Sequence, residues 1–264
     1  MTSLRISLLG PLYIESGGIE RQVPPAKQRA LLAGLAVKAN DVVPVETLTE
    51  AIWGSYSPPS KIETTRTYIH RLRAKLGREA GQRIVTQTPG YMLRVDPEEL
   101  DLLRFEALVK SGIKHFAAGD WMWASSRLSE AEALWRGTPL GDIPLGYARD
   151  RYVEYLEQKQ LSVIELRIEA EIRASRHAAT AAVPELFRLT TWHPERERLW
   201  LLLMLAFFRS GRQAEALSAF GQAREAITTR FGIDPGPELH GMHKRVYAQD
   251  PTLLSEPLDR LCFA

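Results

Sequence analysis

The chain has 264 residues, 45% of them hydrophobic and 25% charged, which is enough for two domains with substantial cores and excludes wholesale disorder. A single cysteine, Cys262, excludes an internal disulfide framework and fits a reducing cytosol. The net charge is only +2, but residues 1–97 hold 13 Lys or Arg against 8 Asp or Glu, and the remainder 21 against 24, so the basic charge belongs to the first third.

In chain order, Leu4, Ile6 and Leu8, then Leu12 and Ile14, alternate with polar residues. Gly10-Pro11 and Gly17-Gly18 punctuate them, which predicts a small antiparallel sheet. Pro24-Pro25 opens a helix with an apolar side of Ala30, Leu31, Gly34, Leu35 and Ala36, ending at Asn40, a residue that tolerates a left-handed cap. A short helix follows from Val45 to Trp53, with Leu48, Ala51 and Ile52 facing inward, and Gly54 closes it. After the loop Gly54-Ser55-Tyr56-Ser57-Pro58-Pro59 comes the stretch from Ser60 to Gly77. Ser60 with Glu63 reads as a capping box. Ile62, Ile69, Leu72 and Leu76 form one narrow apolar stripe that must be buried. The opposite side carries Thr67, His70, Arg71, Ala74 and Arg78, flanked by Thr64 and Lys75. Between Lys61 and Arg78 stand six Lys or Arg and one acid, Glu63. Phosphates suit such a face, and so does plain solvent. Helix, short helix, turn, basic helix is a helix-turn-helix arrangement. A polar stretch then leads to Ile84-Val85 and, across Gln87-Thr88-Pro89-Gly90, to the alternating Tyr91, Leu93 and Val95, a hairpin that returns to the basic helix as a wing.

Everything after about residue 100 reads as helix. Trp200, Leu203, Phe207, Ala216, Phe220 and Ala223 fall on the spacing of a tetratricopeptide helix pair. Leu166, Ala170, Ala182, Leu186 and Leu189 repeat it at the tetratricopeptide period, with Pro194 closing the unit. A third match, Leu108, Gly112, Ala124, Leu128 and Ala131, is followed by an insertion containing Trp135-Arg-Gly-Thr-Pro-Leu-Gly141. Small residues let paired helices close up while Trp and Phe fill the gaps.

Other chemistry lacks its residues. There is no G-x4-G-K-[ST] and no H-E-x-x-H. His240 and His243 stand three apart with only Cys262 as a soft ligand nearby, short of the four that a structural metal site needs. No enzyme, metal or other cofactor is expected. Nowhere is there an 18-residue apolar run, and the start, MTSLRISLLGPLYIES, lacks the basic and apolar regions of a signal peptide, so a cytoplasmic protein without membrane contact is expected.

The strands, three helices, the run Ile69-His-Arg-Leu-Arg-Ala-Lys-Leu76 and Pro89-Gly90-Tyr91 resemble the OmpR/PhoB-type winged helix. Ala118-Gly-Asp120, Leu134-Trp-Arg-Gly137, Leu199-Trp-Leu-Leu-Leu-Met204, Gly211-Arg-Gln-Ala-Glu-Ala-Leu217 and Phe231-Gly-Ile-Asp-Pro-Gly-Pro-Glu-Leu239 resemble the bacterial transcriptional activator domain. This layout is similar to that of the Streptomyces antibiotic regulatory proteins. The resemblance implies a mainly α chain with a small β component, divided into a winged helix at 1–97, a tetratricopeptide-like domain at 98–251 and a tail at 252–264. It further implies an activator of an antibiotic gene cluster, nucleoid-associated, binding promoter double-stranded DNA as a homodimer or head-to-tail pair on direct repeats. RNA polymerase, through its sigma and alpha subunits, is the implied protein partner. By position, Thr67, His70 and Arg71 face base edges, Arg66, Arg73 and Lys75 hold phosphates, and Thr64 is a flanking DNA contact of the same helix, a structural salt bridge being the alternative for Arg66 and Arg73. The wing contributes Thr86, Gln87 and Thr88, where the family usually has a basic residue. Lys27 and Arg29 are backbone-contact or simply exposed charges. Gly54, Ser55, Tyr56 and Ser57 match a polymerase-touching segment or a plain connector. The family's further modules, a nucleotide-hydrolysing or phosphopeptide-binding domain, and the receiver domain usual before such a winged helix are not expected in this chain. A tetratricopeptide-type adaptor with little DNA affinity is the competing reading.

Overall fold

The structure, a computed structural model, describes residues 4–22, 26–54, 58–143 and 147–254, with only the backbone described for 147–151. It divides into two compact units that interleave along the chain, one of residues 1–110 and 130–161, the other of 111–129 and 162–264. A small β component precedes a long run of helices, the winged-helix and all-α order anticipated above.

In the first unit β1 (Leu4–Ser7), β2 (Tyr13–Ser16) and β3 (Ile19–Glu20) form an antiparallel sheet in that order, with Ile6 opposite Ile14 and Ser16 opposite Ile19. The β2–β3 turn is Gly17-Gly18, both at positive φ (64° and 76°), which a side chain would resist. Helix α1 (Ala26–Val37) buries every residue from Leu31 to Ala36. Asn40 then sits left-handed at φ 67°, and its side-chain amide brackets Val95, donating to the carbonyl and accepting from the N–H at 3.0 Å each. Strand β4 (Val43–Pro44) leads into α2 (Val45–Trp53), which ends at Gly54.

Helix α3 (Lys61–Leu76) buries Ile69, Leu72 and Leu76, each at most 1% exposed. Two details differ from the sequence expectation. The capping box does not form: Ser60 has φ −85° and ψ 20°, outside the extended region from which a serine side chain reaches the first turn, and it makes no side-chain cap bond. Its carbonyl instead accepts from the Thr64 N–H at 3.0 Å and hydroxyl at 2.8 Å. The buried stripe is also rotated, with Thr65 fully buried and Ile62 only half-buried.

After Gly77, at φ 86°, the expected polar stretch is a short helix, α4 (Arg78–Gln82). Strands β5 (Ile84–Gln87) and β6 (Gly90–Leu93) form the hairpin, with Thr86 opposite Tyr91, and the sheet order is β4-β6-β5. The capping box that the chain does form lies at Asp96–Glu99, where the Glu99 carboxylate accepts from the Asp96 N–H at 2.8 Å.

Asp101, first residue of α5 (Asp101–Ala117), is buried, and its carboxylate accepts from the Leu8 N–H at 2.8 Å and the Leu9 N–H at 3.0 Å. Burial pushes its carboxyl up, against the pull of those amides and of Arg136. The insertion after the third repeat match is seated on the same turn. Arg136 N–H donates to the Leu9 carbonyl at 2.7 Å, Asp142 accepts from the Leu12 N–H at 2.8 Å, and Trp135 meets Phe105 edge-on at 5.6 Å.

The second unit contains α8 (Arg176–Trp192), α9 (Glu197–Arg209), α10 (Gln213–Phe231) and α11 (Pro237–Tyr247), together with parts of α5, of α6 (Trp121–Glu132) and of α7 (Tyr147–Ala174). Helix α9 is buried from Leu199 to Phe207 and packs against α8, α10 and α11. Gly112 lies so close to Leu128 that a β-carbon there would come within 2.7 Å of it, which is why the repeat pattern needs a small residue. The Trp200 indole donates to the Pro194 carbonyl at 3.1 Å, joining two positions of the repeat. Among the buried groups, Glu169 accepts from Arg173 at 2.7 Å and from Arg198 at 2.6 Å. No helix among the described residues is long and apolar enough to cross a membrane.

Two outcomes are expected. Asp101→Ala strands two buried N–H groups and should cost ~3 kcal/mol in urea denaturation, with Asp101→Asn, which keeps one acceptor, losing less. In the second unit the Thr252 hydroxyl, Arg245 and the Thr252 N–H hold the Asp250 carboxyl down at about 2. Because that value is depressed, its contribution to stability is complete above about pH 4 and is lost as pH falls toward 2. Asp250→Asn should therefore narrow the stability difference between neutral and acid pH, read from denaturation curves along an acid series.

Candidate nucleic-acid interface

The outward side of α3 is set by the inward one. With Thr65, Ile69, Leu72 and Leu76 buried, the helical period leaves Thr67, His70, Arg71 and Ala74 exposed along the opposite face, while Arg78, expected on the same row, is exposed but lies past the break at Gly77, on α4. Thr65 is tolerated inside because its hydroxyl donates to the Lys61 carbonyl at 2.9 Å and lies 3.4 Å from the hydroxyl of Thr49 on α2. Thr67 donates in the same way to the Glu63 carbonyl at 3.0 Å, which leaves its oxygen lone pairs facing out. Arg66, His70, Arg71 and Arg78 have no hydrogen-bond or ion-pair partner among the described residues, and Arg66 is exposed rather than salt-bridged. Lys75 and Thr64 are half-buried at the edges of this face.

Arg73 is placed differently. Its Nε and Nη2 donate to the Ile84 carbonyl at 3.0 and 2.7 Å, Nη2 also reaches the Thr86 hydroxyl at 2.9 Å, and the guanidinium lies 5.7 Å from the Tyr91 ring centre. Beside it, His70, Arg73, Ala74, Gly77, Arg78, Gly81, Gln82 and Ile84 line an open notch of about 500 Å³.

On the hairpin, Thr86, Gln87 and Thr88 are all exposed. No cation stands among them. Arg83, at the base of the hairpin, is turned to Glu99 at 3.1 Å. Of the outlying candidates, Arg29 is ion-paired with Asp142, and Lys27 lies over the Trp53 ring at 5.1 Å, which itself stacks on Tyr68 of α3 at 5.9 Å. Gly54 caps α2 at φ 58°, while Ser55, Tyr56 and Ser57 lie outside the described residues. The Trp53–Tyr68 stack and the Thr49–Thr65 contact orient α3, and the sequence reading passed over both.

The pair His240 and His243 is occupied otherwise. Phe220 stacks on His243 at 4.2 Å, and His240 Nε2 lies 2.9 Å from Asp234. Among the described residues no three His, Cys, Asp or Glu are grouped to hold a metal ion.

A helix that presents cations and small polar groups from a buried seat, next to a hairpin, is the geometry of a winged-helix groove reader. Comparison with known proteins agrees on both halves of the chain. Residues 23–93 match the family described as transcriptional regulatory protein, C terminal, and residues 100–247 match the bacterial transcriptional activator domain. The regulatory protein DnrI of Streptomyces peucetius is 35% identical over 94% of this chain and 93% of its own length. The chain belongs to the Streptomyces antibiotic regulatory protein family. The regulatory protein AfsR of Streptomyces griseus is 36% identical, this chain spanning 26% of its length. The solved structure of Mycobacterium tuberculosis EmbR in complex with a low-affinity phosphopeptide superposes with a TM-score of 0.84 at 34% identity, over 95% of this chain and 66% of that one. As a member of this family, the chain is a transcriptional regulator with an OmpR-type winged helix.

One position tests the hairpin's seat. A β-carbon on Gly90 would stand 1.8 Å from the Val43 carbonyl oxygen, a backbone atom that cannot yield without parting β4 from β6. Gly90→Ala should destabilise the first unit by ~2 kcal/mol in a thermal melt, the range for overpacking a tight site.

Proposed function

We propose that the chain is a sequence-specific, DNA-binding activator of a secondary-metabolite gene cluster, acting in the cytoplasm. The observation that carries the reading is the exposed row Thr67, His70, Arg71 and Ala74 on a helix whose other face is buried, with the exposed Arg78 just beyond its end. In this reading α3 enters the major groove, with Arg71 the base reader. An arginine fork on guanine O6 and N7 is worth about 1–3 kcal/mol of discrimination, and Arg71 has no competing partner among the described residues. Thr67 and His70 flank it, and Arg66 and Lys75 meet phosphates. Ala74 adds no bulk, so the backbone can approach the groove floor. The exposed Thr86, Gln87 and Thr88 reach the adjacent minor groove by hydrogen bonds without charge.

Residues 1–97 then carry the DNA contacts, and residues 98–251 pair protomers head to tail on direct repeats and engage RNA polymerase through its sigma and alpha subunits, with the connection after Gly54 as a further polymerase contact. Membership of the Streptomyces antibiotic regulatory protein family supports the assignment to antibiotic biosynthesis.

The test is binding of the whole protein to promoter fragments from its own gene neighbourhood at two salt concentrations, beside Arg71→Ala. Selective binding should weaken as salt rises. The variant should lose about 10-fold on the preferred fragment and little on unrelated DNA. If no fragment is preferred and the variant matches the parent, the winged helix is not the reader, and an adaptor function takes its place.

A further inference from the structure

We propose that Arg73 is a positioning residue: it locks the hairpin to the recognition helix and fixes the Thr86 hydroxyl as a hydrogen-bond donor toward the minor groove. The inference rests on the DNA-binding reading above and assigns Arg73 a role other than phosphate contact.

The geometry is a cation spent on backbone. Arg73 projects from α3, and its Nε and Nη2 both converge on the Ile84 carbonyl at the first residue of β5. Nη2 continues to the Thr86 hydroxyl, two residues along the same strand. Behind the fork lies the ring of Tyr91, buried, whose residue pairs with Thr86 in the hairpin register. One planar guanidinium thus touches both strands of the wing. A guanidinium is suited to this, because its fixed fork reaches two acceptors at once, whereas an ammonium on a flexible stem holds its direction poorly. The close seating of Gly81 helps: a β-carbon there would come within 2.3 Å of the Arg73 carbonyl, so glycine lets α4 lie against this turn of α3.

The consequence for Thr86 follows from hydrogen-bond accounting. A hydroxyl carries one hydrogen and two lone pairs. Here one lone pair is taken by Arg73, and a guanidinium can accept nothing in return. The hydroxyl hydrogen therefore turns away from Arg73, on an exposed residue, and is free for the acceptors that the minor groove presents, adenine N3, thymine O2 and the flanking phosphate oxygens. Since Gln87 and Thr88 also lack charge, the wing acts through placement alone. Its contribution depends on a strut that keeps donor and recognition helix in fixed register.

Charge and placement can be separated. A phosphate ligand is largely replaced by lysine, and its removal lowers the salt slope of log affinity by about 0.9. A strut is not replaced by lysine, and releasing an uncharged wing leaves the salt slope in place. The experiment compares the full chain with Arg73→Lys, Arg73→Gln, Thr86→Val and the Arg73→Lys/Thr86→Val pair, by titration against the preferred promoter fragment across a salt series. Hydrogen exchange of the hairpin amides is measured on the free proteins, with thermal melts to confirm folding. The proposal expects Arg73→Lys to lose about tenfold in affinity at an unchanged slope, the double variant to be no weaker than Arg73→Lys alone, and exchange at residues 84–93 to quicken in Arg73→Lys while the rest of the unit keeps its protection. Near-parental binding and exchange in Arg73→Lys, with a slope reduced by about one in Arg73→Gln, would overturn it in favour of a phosphate ligand. Should the parent itself show no selective DNA binding, the DNA-binding reading fails and the minor-groove role of Thr86 falls with it. The exchange measurement still decides whether Arg73 holds the wing.

Discussion

The first unit is governed by the seating of one helix. Helix α3 has to offer cations and small polar groups to a partner while being held rigidly, and a helix of sixteen residues with only a narrow buried stripe has little with which to do so. Burial of Ile69, Leu72 and Leu76 supplies about 2 kcal/mol each. The remaining orientation comes from groups that apolar burial does not count. Thr65 meets Thr49 at the crossing with α2, Tyr68 stacks on Trp53, and Arg73 bonds the hairpin. Around this helix, α1, α2 and α4 make its seat, the hairpin joins it through Arg73, and Asn40 clasps Val95 beyond the end of β6.

Much of this was readable from the residues because the decisive features are local and periodic. The bounds of α2, the left-handed Asn40, the exposed row from Thr67 to Ala74 and the repeat positions of the helical half all follow from spacing that a helix or turn imposes. What escaped the sequence was of another kind. Thr65 has the composition of a surface residue and is buried because its hydroxyl is satisfied by its own helix. Arg73 bonds a main-chain carbonyl, and a carbonyl carries no residue-specific mark in a sequence. The partner of Arg29 is Asp142, so remote in the chain that its charge looked free. The capping signature was present twice, at Ser60 with Glu63 and at Asp96 with Glu99, and only the second has an extended cap residue that lets the side chains reach. In each case the deciding variable was backbone direction or a distant neighbour.

The second unit relies on other physics. Helix α9 is apolar on nearly every side, so its neighbours α8, α10 and α11 hold it mainly by shape and area. Specificity enters through a few polar contacts inside, such as Glu169 shared between Arg173 and Arg198, where removing the shared carboxylate would take its ion-pair partner from the buried Arg173. Close approach at Gly112 and the Trp200 bond to Pro194 fix where neighbouring turns meet.

Asp101 and the loop at 135–142 carry a meaning for how such chains diversify. The turn at Leu8–Leu12 is completed by residues that the linear order assigns to the following region: Asp101 answers the Leu8 and Leu9 amides, Asp142 answers Leu12, and Arg136 answers Leu9. A recombination joint placed between the two halves, near residue 97, would hand the first strands to a foreign continuation unable to close that turn. The halves are thus coupled in inheritance. A regulator assembled by exchanging DNA readers among relatives would have to carry its amino-terminal strands, the start of α5 and the 135–142 loop together as one set.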